Sequence, residues 1–360
     1  GMVTKYSEIV LSIKYRERND HGDWVGGPMY YIKNGMGKHW KWLGILFCLF
    51  AILASFGIGN GAQANSIVGS IYNAITTFVP SADNAHSRFL ISLVCGVIMA
   101  FLVALILFGG IKRIGAVTEK LIPFMSLFYI LFTLIVIGAH AGNIGKAFQL
   151  TFASAFTPVA VLGAGSGILL KQTIIWGMRR SAFSNEAGLG SAAIAHAAAD
   201  TDGPVHQGVF GIFEVFVDTI VICSLTALTI ICSGVEIPFG VKPGSELIMQ
   251  AFATVFGARF ASLFVAFALM LFAFSTILGW SLYGTRCTQF LFGLKATKIF
   301  QGAFIVVVVL GSVASLDTVW DVADTFNGLM AIPNFIAVFA LSGVVAKETR
   351  KFFSNPLRRN

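Results

Sequence analysis

The sequence is poor in charge. Asp, Glu, Lys and Arg make up 12% of its 360 residues, against about 25% in an average soluble domain. It is also poor in metal and redox motifs. The five cysteines (Cys48, Cys95, Cys223, Cys232, Cys287) show no C-x-x-C spacing, and their odd number gives no disulfide framework. They fall in or beside apolar blocks and are read as small buried side chains. No H-E-x-x-H occurs. Ala164-Gly165-Ser166-Gly167 nearly matches an intramembrane serine-protease motif but has Ala164 in place of its first glycine. The six histidines lie in loops or near block ends, so no base is placed to meet Ser166 inside a membrane. No basic segment leads into a short apolar stretch with a cleavage site, so no signal peptide is read. Nothing resembles the repeated filter ring of a channel.

What is present is apolar residues, 56% of the chain, with a mean hydropathy of +0.80. A water-soluble surface cannot be covered from this composition, so lipid is the solvent for much of the chain. Eight blocks are long enough to span a bilayer, at 43–70, 89–109, 119–138, 158–180, 208–232, 259–283, 299–314 and 322–345. Barrel strands alternate apolar and polar residues. Phe-Ile-Val-Val-Val-Val-Leu at 304–310 does not, which predicts helices and an all-α polytopic membrane protein in one domain, 1–360.

The net charge of +8 is distributed by side. If successive loops alternate across the membrane, nineteen of the 25 basic residues fall on one side and only Arg88, Lys146, Lys242 and Arg259 on the other. The positive-inside rule then puts the 14–41 loop and the 346–360 tail in the cytoplasm. This placement also argues against nucleic acid as a partner. Residues 1–13 are too few to cross a bilayer; they read either as a chain start at Met2 after one extra residue or as the cytoplasmic end of a truncated helix. Gly26-Gly27-Pro28 breaks the helix, and the pair Tyr30-Tyr31 suits the headgroup boundary.

Polar residues inside a span need a reason, and three stretches stand out. In Phe56-Gly57-Ile58-Gly59-Asn60-Gly61-Ala62-Gln63-Ala64-Asn65-Ser66, three amides can hold a carboxylate or an amine, or can glue helices together. Gln63 and Asn65 lie about 200° apart on an ideal helix, so both reach one ligand only if the glycines distort it. In Gly163-Ala164-Gly165-Ser166-Gly167, small residues either interrupt a span, exposing backbone for substrate and cation, or make a close-packed seam. Lys171 follows, facing a polar cavity or snorkelling. In Phe274-Ser275-Thr276-Ile277-Leu278-Gly279-Trp280, two hydroxyls can supply oxygens to a hard cation or bond their own helix carbonyls, and Trp280 can wall a small ligand. The inner segment 181–207 carries a small-residue helix, Ala192 to Ala199, and Ser184 with Glu186 or Ala187 reads as a helix cap.

These stretches resemble the alanine or glycine:cation symporter family, the sodium:alanine symporters. The matching strings are Gly26 to Tyr31, Phe56 to Ser66, Ser184-Asn185-Glu186-Ala187-Gly188-Leu189-Gly190-Ser191 with Ile194 to Ala197, Phe274 to Trp280, and Asn327-Gly328-Leu329-Met330-Ala331-Ile332-Pro333-Asn334. The resemblance covers essentially the whole chain. It implies a LeuT-type fold of two inverted five-helix repeats working by alternating access. Core helix one and most of core helix two would precede the residues here, and the eight spans would be core helices three to ten.

The resemblance further implies sodium-coupled symport of alanine or glycine at the cell membrane, with sodium as coupling ion, no further cofactor, and no enzymatic activity. Proton coupling is the alternative. Asn60, Gln63, Asn65, Gly163, Gly165, Gly167, Thr276 and Trp280 would form the substrate site, and Ser275 and Thr276 the sodium site. Lys171 stands where the family would place a small residue.

Overall fold

The computed structural model describes residues 1–156, 166–237, 244–314 and 316–354, without the side chains of 111–112, 154–156, 166–173 and 316–323. The chain is helical nearly throughout, as an apolar medium requires when every backbone amide must bond within its own segment. It opens with α1 (Met2–Lys14). A two-residue antiparallel pair follows, β1 (Glu17–Arg18) and β2 (Trp24–Val25), with Glu17 opposite Val25 and Arg18 opposite Trp24. The guanidinium groups of Arg16 and Arg18 lie 4.3 and 4.5 Å from the Trp24 ring. The short α2 (Pro28–Tyr31) starts on a proline, which needs no amide partner there.

The expected Tyr30-Tyr31 headgroup placement is not what the fold shows. Tyr31 is fully buried and Tyr30 nearly so, because Pro28 turns the segment inward and the Tyr31 hydroxyl donates to the Asn334 Oδ1.

The first span is continuous over Lys38–Phe78. It comprises α3 (Lys41–Phe56), a widened π-type turn over Gly57–Gly61, and α4 (Ala62–Phe78). Thereafter come α5 (Ala85–Leu107), α6 (Gly110–Ala139), α7 (Ile144–Phe156), α8 (Ser166–Asn185), α9 (Ser191–His196) and α10 (Pro204–Val215). A second widened turn, Phe216–Cys223, joins α10 to α11 (Ser224–Ser233). The chain continues through α12 (Glu246–Phe256), α13 (Ala258–Phe292), α14 (Leu294–Val313), α15 (Leu316–Ala340) and α16 (Ser342–Phe353).

Among the described residues six helices or continuous helical runs are long and apolar enough to cross a membrane, and a seventh span results if α15 and α16, bent by 56°, are taken together. The remaining expected span, 158–180, the fourth in chain order, begins outside the described residues. The chain is thus a multi-pass, all-α membrane protein. The last span ends at Ala340 rather than 345, and α16 turns away carrying Lys347, Arg350 and Lys351 on exposed positions.

α13 is the central helix, packed by α3, α4, α6, α12 and α14. One core cluster joins Met29, Phe47, Ile58, Trp280 and Met330, and another Ile67, Val103, Ile277 and Phe304. A third seam is aromatic: Phe132 and Phe264 lie 4.6 Å apart and Phe252 and Phe264 4.7 Å apart, tying α6, α12 and α13. Outward residues such as Leu127, Phe101 and Phe213 are exposed, as apolar side chains facing hydrocarbon would be. Of the cysteines, Cys48, Cys232 and Cys287 are buried as expected, whereas Cys223, in the second widened turn, is exposed, with its Sγ 3.4 Å from Ser184 Oγ.

Candidate functional site

A cavity of about 560 Å³ opens beside α13, between α6 and the segment that joins α8 to α9. Ser275, Thr276, Gly279, Trp280 and Tyr283 of α13 form one wall. Gly115, Thr118 and Ile122 of α6 form another. Ser184, Asn185 and Glu186, with His196 of α9, Lys5 of α1 and Glu214 of α10, supply a charged rim.

The local geometry follows from residue type. Ser275 Oγ donates to the Phe272 carbonyl at 2.8 Å and Thr276 Oγ1 to the same carbonyl at 3.0 Å. That is the back-bonding a hydroxyl makes in an apolar helix, and it leaves each oxygen its lone pairs to offer a hard cation. Trp280 is buried, and its Nε1 donates to Glu186 Oε1 at 2.8 Å. Its ring sits so close to the widened turn that a Cβ on Gly59 would collide with it. The glycine-rich stretch therefore shapes this cavity through packing: Gly59 is the gap that Trp280 fills.

Glu186 is the one described non-glycine residue with positive φ, at 57°. Ser191 Oγ donates to its Oε2 at 2.6 Å, so both carboxylate oxygens are held. Burial pushes this carboxyl up from its usual range, opposed by the Ser191 bond, the Lys5 charge and the Trp280 bond. The Lys5 ammonium lies 3.0 Å from Glu214 Oε2 and donates to the Asn185 carbonyl at 3.2 Å. His196 Nε2 lies 3.0 Å from Glu214 Oε1, and Gln207 Nε2 bonds His196 Nδ1 at 2.8 Å.

The structure brings Ser275, Thr276 and Trp280 together on this cavity and puts the three amides elsewhere. Asn60 is fully buried, donating to the Phe304 carbonyl of α14 at 2.7 Å. Gln63 Nε2 bonds the Ile58 carbonyl of its own segment at 3.0 Å. Asn65 donates to the carbonyls of Gly311 at 3.2 Å and Ala314 at 2.8 Å, and lines a separate cavity of about 210 Å³ between α4, α5 and α14. The widened turn ends at Gly61. Gln63 and Asn65 thus sit together on the regular α4 and keep opposite faces.

Gly163 and Gly165 lie outside the described residues. Gly167 lies in the first turn of α8, and the Lys171 side chain is not among those described.

Ser184 does not cap a helix. It sits in the last turn of α8 and donates to Asp218 at 2.7 Å, while Gly190 precedes α9. The charged rim was not read from the sequence, although Glu214 inside the 208–232 block was a signal for it, a carboxylate placed where lipid would exclude it.

Known proteins match this chain over nearly its whole length. The model of the sodium:alanine symporter family matches residues 1–359. The sodium/alanine symporter AgcS of Methanococcus maripaludis is 42% identical, over 100% of this chain and 76% of its own length. The amino-acid carrier protein AlsT of Bacillus subtilis is 36% identical over 98% of this chain and 71% of its own. The probable sodium/glutamine symporter GlnT of Bacillus subtilis is 35% identical over 96% and 68%. A polar cavity set against one long apolar helix, in a chain matched end to end, leaves one conclusion: this protein belongs to the sodium:alanine symporter family, and is a cation-coupled amino-acid symporter rather than an enzyme.

Proposed function

We propose that the chain carries out sodium-coupled symport of a small neutral amino acid, alanine or glycine, across the cell membrane, by alternating access in a LeuT-type fold with its C-terminal tail in the cytoplasm. The observation that carries this reading is the cavity wall on α13, where Ser275 and Thr276 offer adjacent hydroxyl oxygens one turn from the Trp280 ring. Oxygen ligands suit a hard monovalent cation. A flat indole beside them closes on a short side chain and crowds a long one.

In this reading Ser275 and Thr276 hold sodium, and Thr276 and Trp280 face the amino acid. Gly163, Gly165 and Gly167 stay in the proposal as the break in a span, where freed amides meet the substrate carboxylate; the family resemblance supports this. Asn60, Gln63 and Asn65 can join the substrate only by leaving the carbonyls they now bond, and each is tested by its own alanine variant.

The test is uptake of labelled alanine into proteoliposomes holding the full-length protein. An inward sodium gradient is expected to drive accumulation, and replacing sodium with choline to abolish it. Accumulation that survives without sodium and follows a proton gradient instead favours proton coupling. Competition by unlabelled glycine but not glutamine places the substrate at the small end of the family, whose members include one named for glutamine.

A further inference from the structure

Glu8 is a buried acid that the transport cavity does not use. It lies in α1 with no solvent exposure, where that helix meets α2, the segment after α8, and α15. Its Oε1 accepts two hydrogen bonds, from the Gly188 amide at 2.9 Å and from Asn334 Nδ2 at 2.5 Å. Among the described residues its Oε2 is buried and makes no hydrogen bond of good geometry, although the Gly190 amide also acts on the carboxyl.

The Asn334 orientation is fixed. Tyr31 donates its hydroxyl proton to Asn334 Oδ1, so the amide nitrogen must face Glu8, and its second proton goes to the Gly188 carbonyl at 2.8 Å. The charged groups around the junction are committed elsewhere. Lys5, one turn back on α1, is paired with Glu214 of α10 at 3.0 Å. Glu186 is held by Trp280 and Ser191, and His196 of α9 by Glu214. The Tyr31 hydroxyl of α2 is spent on Asn334. On α15, Asp324 pairs with Arg180.

An ionised carboxylate here would be fully buried with no well-formed hydrogen bond to Oε2, which is the costly arrangement in a low-dielectric interior. A neutral acid fits the donors as they stand. Its carbonyl oxygen, Oε1, accepts both bonds, and the proton sits on Oε2.

We propose that Glu8 is a proton-binding site, neutral in this conformation, whose proton holds α1, the 186–190 segment and α15 together at the basic end of the bundle. Loss of the proton leaves a buried charge that is relieved when the segment parts from α15 and water reaches the carboxylate. The device lies apart from Ser275 and Thr276, and its test does not depend on transport.

The experiment is infrared difference spectroscopy of the full-length protein between neutral and alkaline pH, with hydrogen exchange of the 186–191 amides read in parallel. Wild type is expected to show a protonated-carboxyl C=O band at neutral pH that is lost at alkaline pH, and 186–191 exchange that rises beyond the intrinsic pH trend. Glu8→Gln keeps the acceptor for Gly188 and Asn334; it is expected to lack the band and to follow the intrinsic trend alone. A band unchanged in Glu8→Gln overturns the proposal, as does wild-type exchange that follows only the intrinsic trend. If Glu8→Gln does not fold, Asn334→Ala serves. It removes a donor to Oε1 that favours the ionised acid, so the band must persist to higher pH; a titration matching wild type contradicts the assignment.

Discussion

Trp280 Nε1 lies 2.8 Å from Glu186 Oε1, and this bond ties α13 to the segment between α8 and α9. The same indole is a wall of the cavity and the same carboxylate is part of its rim. Whatever moves the rim therefore moves the wall, which links the shape of the cavity to the position of the inner segment.

Trp280→Phe keeps most of the ring and removes the donor. A buried acceptor left without its partner costs about 1–3 kcal/mol, so the unfolding midpoint is expected to fall. Glu186→Gln perturbs the other end of the bond. The double variant should then be non-additive by about 0.5–3 kcal/mol, as contacting residues are. Simple additivity in a denaturation cycle would show that the bond does not couple the two elements.

Stability should depend on pH through Glu186. Its folded-state carboxyl is raised by burial. Above the ordinary glutamate value of about 4.3, the folded state therefore keeps a proton that the unfolded chain has released. Stability falls as pH rises from there through the folded value. Thermal unfolding between mildly acidic and neutral pH is expected to show this fall in wild type and a shallower one in Glu186→Gln.

Two glycines near Trp280 should behave oppositely. A Cβ at Gly59 strikes the Trp280 ring, whereas one at Gly279 finds nothing nearer than the Tyr283 hydroxyl at 3.9 Å. Gly59→Ala is expected to cost about 1–3 kcal/mol, as overpacking does. Gly279→Ala should leave the fold intact or stabilise it by up to about 1 kcal/mol through helix propensity. Because Gly279 lines the cavity, its variant should weaken alanine uptake more than glycine uptake, measured as the ratio of half-saturating concentrations.

Asn65→Ala removes two bonds to carbonyls at the end of α14. The expected outcome is a loss of about 1 kcal/mol per bond in stability with half-saturating alanine unchanged. A rise in that concentration in a folded Asn65→Ala protein would return Asn65 to the substrate site.

The spans were legible because lipid imposes one rule on every residue. The block 208–232 lies inside the helical run Pro204–Ser233, and 89–109 overruns the helix Ala85–Leu107 by only two residues. Tertiary choices were not legible. Asn60, Gln63 and Asn65 offered the same amide chemistry whether they met a ligand or a neighbouring carbonyl, and only the neighbour's position distinguishes the two. Tyr31 looked interfacial by type, yet a turn at Pro28 and the distant Asn334 bury it. Glu8, Lys5 and Glu214 carried a signal that went unused, since charge within apolar surroundings marks a site before any fold is known. Ser275, Thr276 and Trp280 were read as neighbours because one helix turn brings them together whatever the rest of the chain does.

Coupling by sodium at the α13 hydroxyls is tested most directly by the sodium dependence of alanine uptake by Ser275→Ala and Thr276→Ala proteins in proteoliposomes. The sodium concentration for half-maximal uptake is expected to rise at least severalfold in both, with correctly folded protein and residual uptake at saturating sodium. An unchanged sodium dependence in both variants would contradict it.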